Sequence, residues 1–309
     1  MESRKKFRLK HTFQLLRSCY KEWIENDPFD LSAVVAYYSL LSLPALLIII
    51  INVSGVVLGK QAVEGQISQE IQKVLGYEIA VVIENIIKNA SLSRSSSLAA
   101  FAGIGTLLFG ATGVFIALQK SLNKIWHVRI KPNCGIKVLL LNRLTSFFII
   151  LVMGLLILLF FLLTAALATF SAWIDDHVPH FIVLGLDIFN LLISFGLTML
   201  LFGFIYKFLP DVKIPWSSIW LGAAFTSILF VLGKMVLGLY FSNINPASAY
   251  GAAGSLIIMM LWVSYSSLIL FFGAQFTQVY ASKYSIPVKY KKYTIRMADY
   301  YNEKLTRNC

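Results

Sequence analysis

The stretch Tyr250–Ala281, YGAAGSLIIMMLWVSYSSLILFFGAQFTQVYA, constrains this chain more than any other. From Tyr250 to Tyr280 it carries no Lys, Arg, Asp or Glu. A helix rises about 1.5 Å per residue, so roughly 20 apolar residues cross a hydrocarbon core about 30 Å thick. The run is therefore long enough to span a bilayer and continue past one interface. It is not uniformly lipophilic: Gly251, Ser255, Ser264, Ser266, Ser267, Gly273 and Gln275 interrupt the Leu, Ile, Met and Phe. Small and polar residues in an apolar span mark a helix packed against other helices. The segment reads as an interior wall of a bundle.

The rest of the chain agrees with a membrane solvent. Of its 309 residues 58% are apolar and only 14% charged, where a soluble domain carries about 25% charged residues. The fold class expected is an all-α polytopic membrane protein. The net charge of +12 has two readings, a nucleic-acid partner or the bias of basic residues toward the cytoplasmic loops of a membrane protein. The second is adopted, with no nucleic acid expected. Cys19, Cys134 and Cys309 form no CxxC pair or Cys/His cluster, so neither a metal nor a cofactor is expected. The first strongly apolar run starts near Leu31 and is too long for the core of a cleavable signal.

Six spans are expected, at about 31–58, 96–118, 144–173, 181–206, 215–241 and 247–280. Residues 1–30 form a basic arm in which Phe7, Phe13, Leu16, Tyr20 and Trp23 recur at roughly helical spacing. That pattern fits a helix lying on anionic lipid headgroups, or a solvated basic tail. The first span holds Pro44, which kinks a helix by freeing a backbone carbonyl; a packing role accounts for it as well as a functional one. Between the first and second spans, residues 60–94 are amphipathic, with Ile67, Ile71, Val74 and Leu75 on one face and Glu64, Glu70, Glu78 and Glu84 mostly off it. The second span repeats small residues every four positions, as in Ala102, Thr106 and Gly110 or Gly113 and Ala117, which suits close helix packing. Trp216 and Trp220 open the fifth span at headgroup level. Asp175, Asp176, His177 and His180 read as a solvated turn rather than a metal site. Residues 281–309 form a second basic tail.

Charge sets the orientation. The arm carries seven basic residues, the 119–143 loop six, the 207–214 loop two and the tail seven, all on one side of the bundle; the other side has four, all within 60–94. This distribution predicts both termini in the cytoplasm, with all three cysteines on the reducing side.

Ionisable groups inside spans are costly and count as functional candidates. Asp187 lies about 9 Å in from the outer end of the fourth span and Lys234 about 10 Å in from the outer end of the fifth. The matched depths predict a site between consecutive helices, with Asn190 on the face of Asp187 and Asn52 at similar depth in the first span. A structural ion pair, or a Lys234 that snorkels to the interface, is the competing explanation. Gln275, Tyr37 and Tyr38 are expected near the cytoplasmic interface as a second polar cluster.

Four motifs, AYYSLLSLPALLI (Ala36–Ile48), FGATGVFIALQKSLNKIW (Phe109–Trp126), LGKMVLGLYF (Leu232–Phe241) and YGAAGSLIIMMLWVSYSSLILFFGAQ (Tyr250–Gln275), resemble the YihY/BrkB family of bacterial inner-membrane proteins. The similarity runs from about residue 20 to 283 in the family's order. It implies six inner-membrane helices with the basic loops inside. Members carry a virulence-factor label and an older ribonuclease label; their activity is generally unassigned, and transport is commonly suspected. The family usually has Glu where this chain has Gln275, so the resemblance brings no charge to that position.

Three functions compete. A transporter, permease or flippase of a small solute or lipid is supported by Asp187, Lys234 and the proline-broken first span, although no phosphate-binding loop or internal repeat accompanies them. A non-transporting envelope scaffold or regulator is the alternative, and neither would be an enzyme. A nuclease needs clustered carboxylates for metals or a positioned histidine pair; the loops offer His127 and a solitary Asp211, and the tail Asp299 and Glu303, so that reading is set aside. The bilayer is the expected partner, and a homo-oligomer is left open.

Overall fold

The structure is a computed structural model that describes residues 9–42, 112–131, 180–244, 254–291 and 293–300, with the backbone alone for 9–12, 180–191, 241–244 and 255. The span expected at 144–173 and the amphipathic segment at 60–94 lie outside these residues, as do 43–58 of the first expected span, 96–111 of the second and 247–253 of the sixth.

Helix α1 (Leu9–Glu25) owes its packing to apolar residues three and four apart. Leu15 and Cys19 are buried and meet Phe276 and Val279, one stripe of an amphipathic helix. The chain turns through Asn26 and Asp27, the latter with φ of 52°, and α2 begins at Pro28 and runs through the described residues to 42. Proline suits that first helical position because the missing N–H has no partner there in any case. Helix α3 covers 112–125, and beyond it the short strand β1 (Val128–Ile130) leaves through His127, whose φ is 51°.

The long apolar helices follow: α4 (His180–Phe208), then α5 (Trp216–Ile244) after strand β2 (Val212–Lys213), then α6 (Gly254–Lys283). Pro215 starts α5, its carbonyl accepting the N–H groups of Ser218 and Ile219. Within α5 and α6, Trp216–Tyr240 and Leu256–Lys283, of 25 and 28 residues, are long and apolar enough to cross a membrane. Helix α4 packs on α5, α5 on α6, and α6 on α1. One core, including Phe115, Leu122, Tyr206, Ile219 and Phe271, joins α3 to α4, α5 and α6.

The seam between α5 and α6 is reciprocal. A Cβ on Gly222 would overlap the Thr277 hydroxyl, and one on Gly273 would overlap the hydroxyls of Thr226 and Tyr206. Each threonine turns its hydroxyl back onto its own helix, Thr226 to the Gly222 carbonyl at 2.7 Å and Thr277 to the Gly273 carbonyl at 2.8 Å. Two glycines thus admit two threonines from the facing helix, the close approach that small residues permit in an apolar medium. Tyr206 of α4 joins them by donating to the Leu270 carbonyl at 2.8 Å, with the Thr226 hydroxyl also 2.8 Å away.

Two expectations change. The chain is not purely helical, because β1 pairs antiparallel with β4 (Thr294–Arg296), and β2 with β3 (Lys289–Tyr290). The described parts of the arm and tail are packed as well: α1 packs on α6, β3 pairs with β2, which precedes α5, and β4 pairs with β1, which follows α3. The physical reason is the same in both cases. The chain leaving α6 carries backbone groups that need partners, and the edges of β1 and β2 supply them. Arm, both basic loops and tail therefore meet at one end of the bundle, the basic end.

Candidate functional site

One fully buried polar group at the basic end is Gln275, which has no exposed surface. Its carbonyl accepts from Asn26 Nδ2 at 3.0 Å, while its amide donates to Glu22 Oε2 at 2.8 Å and to Gln278 Oε1 at 3.0 Å. Asn26 is itself fixed by a second donation to the Glu22 carbonyl at 3.0 Å. The buried amide is thus satisfied on both ends, as a buried polar group must be to avoid its desolvation cost. Burial pushes the Glu22 carboxyl above its usual value and Glu25 adds to the rise, while His127 and the Gln275 hydrogen bond work against it. A carboxylate therefore stands beside position 275 although the residue there is an amide; α1 delivers it.

Beside this cluster opens a cleft of about 730 Å³. Its walls are the end of α6, the turn that follows with Ser285 at φ 51°, residues of β3 and β4, and the junction of α3 with β1 at His127. Gln278, a ligand of Gln275, is one of its lining residues, with Ser282, Tyr290 and Arg296.

Asp211 anchors the same end. It is 1% exposed and accepts from Asn123 Nδ2 at 2.8 Å, Tyr293 Oη at 2.9 Å, Lys291 Nζ at 3.0 Å and Gln119 Nε2 at 3.3 Å. Its own N–H donates to Asn123 Oδ1 at 2.8 Å. One carboxylate therefore ties α3, the α4–α5 loop and the tail together. Lys124 makes a lesser tie, donating to Asp27 Oδ2 at 2.9 Å and to the Asn26 carbonyl at 2.8 Å. Sequence reasoning registered Asp211 only as a solitary acid among basic loops. That isolation was itself the signal, since an acid surrounded by unpaired donors is the natural place for them to converge.

The structure places the sequence candidates as follows. The hydrogen bonds of Gln275 run to Glu22, Asn26 and Gln278, whereas Tyr37 and Tyr38 pack on each other with ring centroids 5.4 Å apart. Tyr38 covers Gly113, where a Cβ would overlap its ring, so this pair joins α2 to α3. Lys234 is exposed on α5. Asp187 and Asn190 lie on α4, with side chains outside the described residues; Asn52 and Pro44 lie outside them altogether. Among the described residues no three His, Cys, Asp or Glu side chains converge as a metal site would require.

A UPF0761 membrane protein of Psychrobacter sp. (strain PRwf-1) is 27% identical over 271 residues, covering 86% of this chain and 48% of its own length. Another from Tolumonas auensis is 29% identical over 196 residues, 62% of this chain and 59% of its own. A third from Albidiferax ferrireducens is 27% identical over 176 residues, 56% of this chain and 40% of its own. The chain thus spans about half the length of these relatives. No solved structure matches it. The family described as virulence factor BrkB matches residues 19–294, a range that begins in α1 and ends in β4. This membrane protein belongs to the BrkB family.

Proposed function

We propose that the chain is a six-span protein of the bacterial inner membrane, with both termini cytoplasmic, that moves a small solute or lipid across the bilayer without chemical conversion. The observation that carries this reading is the union of arm, loops and tail at one end of apolar helices, with the Glu22–Gln275 cluster at its centre. Segments joined by β-ladders and by Asp211 lie on the same side of a membrane, which agrees with the distribution of basic residues. A half-buried carboxylate on a fully buried amide, at the foot of a spanning helix and beside an open cleft, is the kind of ionisable group that lines solute paths. Asp187 and Lys234 remain the candidate intramembrane site, on consecutive packed helices. On the outer face of α1, Phe13, Tyr20 and Ile24 are exposed beside Arg17 and Lys21, which suits anionic lipid headgroups.

Purified protein in liposomes should either release encapsulated solutes from a chosen panel or equilibrate a fluorescent phospholipid between leaflets, faster than protein-free vesicles. Correctly folded protein that does neither sinks the transport reading. The alternative, an envelope scaffold or regulator, draws on the α5–α6 seam, whose interlocked glycines and threonines leave no passage between those two helices.

A further inference from the structure

We propose that the cleft at the basic end binds a phosphate group, and this inference does not depend on transport. Two of the residues lining the cleft, His127 and Arg296, can be cationic and none is acidic; Ser282, Ser285, Gln278 and Tyr290 add neutral hydrogen-bonding groups. Most of the nearby carboxylates are already engaged: Asp211 by Lys291 at 3.0 Å, Asp27 by Lys124 at 2.9 Å, Glu25 by Lys21 at 3.8 Å, and Glu22 by the Gln275 amide at 2.8 Å; Asp299, three residues after Arg296, is exposed outside the lining. The positive charge of Arg296 is thus without an acidic partner among the described residues.

Arg296 is also positioned. Its Nε donates to Tyr290 Oη at 3.1 Å, and its guanidinium carbon sits 5.2 Å from the centre of the same ring. Strand β4 holds the arginine in register, since Arg296 pairs with Val128 across the ladder. One edge of the guanidinium is used to fix the side chain, which leaves the two terminal nitrogens as a planar fork. Such a fork matches two oxygens of a phosphate. Elsewhere in the lining the Ser282 and Ser285 side chains are exposed and supply hydroxyls for the remaining oxygens. Ile286, Pro287, Val288 and Met297 complete the cleft, an apolar flank that suits a ligand carrying phosphate on a hydrocarbon or ring. Cation, hydroxyls and apolar flank together fit a phosphate ester of either a lipid headgroup or a soluble metabolite.

Isothermal titration of full-length protein in detergent, at low salt, with inorganic phosphate and with dioctanoyl phosphatidic acid tests the site and separates the two sources. Saturable binding of phosphate alone assigns a soluble anion; binding of the phosphatidic acid without inorganic phosphate assigns a headgroup. Arg296→Gln should weaken either interaction about tenfold or more, the loss of a charge-assisted pair. Because that change also removes the contact with Tyr290, Ser282→Glu serves as a second variant: it leaves the Arg296–Tyr290 contact intact and sets a carboxylate in the cleft, and it should abolish binding at unchanged melting temperature. Failure of the wild type to bind either probe, or equal affinity in Ser282→Glu, overturns the proposal.

Discussion

Gln275 and Glu22 illustrate what a side chain does when its neighbour, rather than itself, bears the charge. The amide at 275 is buried and fully hydrogen-bonded, while the carboxyl it holds sits half-buried on another helix. Burial raises the Glu22 carboxyl above its ordinary 4.5. A folded-state value above the unfolded one means that the folded chain holds more protons in the interval between them. Glu22 therefore favours folding most at low pH, and its contribution declines as pH climbs from 4.5 through the raised folded value. Glu22→Gln keeps an acceptor for Gln275 and removes the titration. Its melting temperature should match the wild type near pH 4 and exceed it by about 2 °C at pH 7; an identical pH profile for the two proteins would exclude this account. Gln275 stood out in the sequence because polar residues are rare in that span. Glu22 did not, because nothing in a basic amphipathic arm reveals which of its acids will be folded against a helix some 250 positions later.

At the scale of elements, the long helices were legible and their connections were not. Where described, α4, α5 and α6 lie within a few residues of the runs read as the fourth, fifth and sixth spans, and α5 and α6 hold segments long and apolar enough to cross a membrane, since an uninterrupted apolar run in lipid satisfies its backbone as a helix. Strands of two and three residues carry no alternation to read, so the β1–β4 and β2–β3 ladders had no signature. The α5–α6 seam lies between these cases. Its small residues announced close packing, but only coordinates reveal that Gly222 receives Thr277 and Gly273 receives Thr226. This reciprocity predicts coupling. Gly222→Ala should cost about 1–3 kcal/mol through overlap with the Thr277 hydroxyl. Thr277→Ala removes that hydroxyl and the methyl, leaving only its Cβ at 3.0 Å from the new carbon, so the double variant should lose less than the sum of the singles. Thermal unfolding in detergent measures all three; strictly additive losses would show that the seam does not interlock.

For the whole molecule, the basic end is the device that closes the chain on itself. Asp211 receives donors from α3 and from the tail, and its removal strands Lys291, whose side chain is only 23% exposed. Asp211→Ala should therefore cost about 3 kcal/mol and make residues 289–296 the first segment cut by protease; unchanged stability would mean that the hub is incidental. The same convergence fixes what topology has to be. Arg129 pairs with Ile295 in the β1–β4 ladder and Lys213 with Lys289 in the other, so the loop after α3, the loop before α5 and the tail cannot be on opposite faces of a bilayer. If the basic residues set orientation as expected, all three face the cytoplasm. Site-specific labelling decides this. In a Cys134→Ser, Cys309→Ser background the remaining Cys19 is buried against α6, with burial and then Glu22 pushing its thiol up to about 12, so it stays silent toward maleimides, which react with thiolate. Cysteines placed singly at Arg129, Lys213 and Lys289, all exposed, should then be unreactive to a membrane-impermeant maleimide in intact cells and react together once the inner membrane is permeabilised. Labelling of all three in intact cells would invert the orientation while preserving the fold. Labelling of one without the others would contradict the ladders themselves.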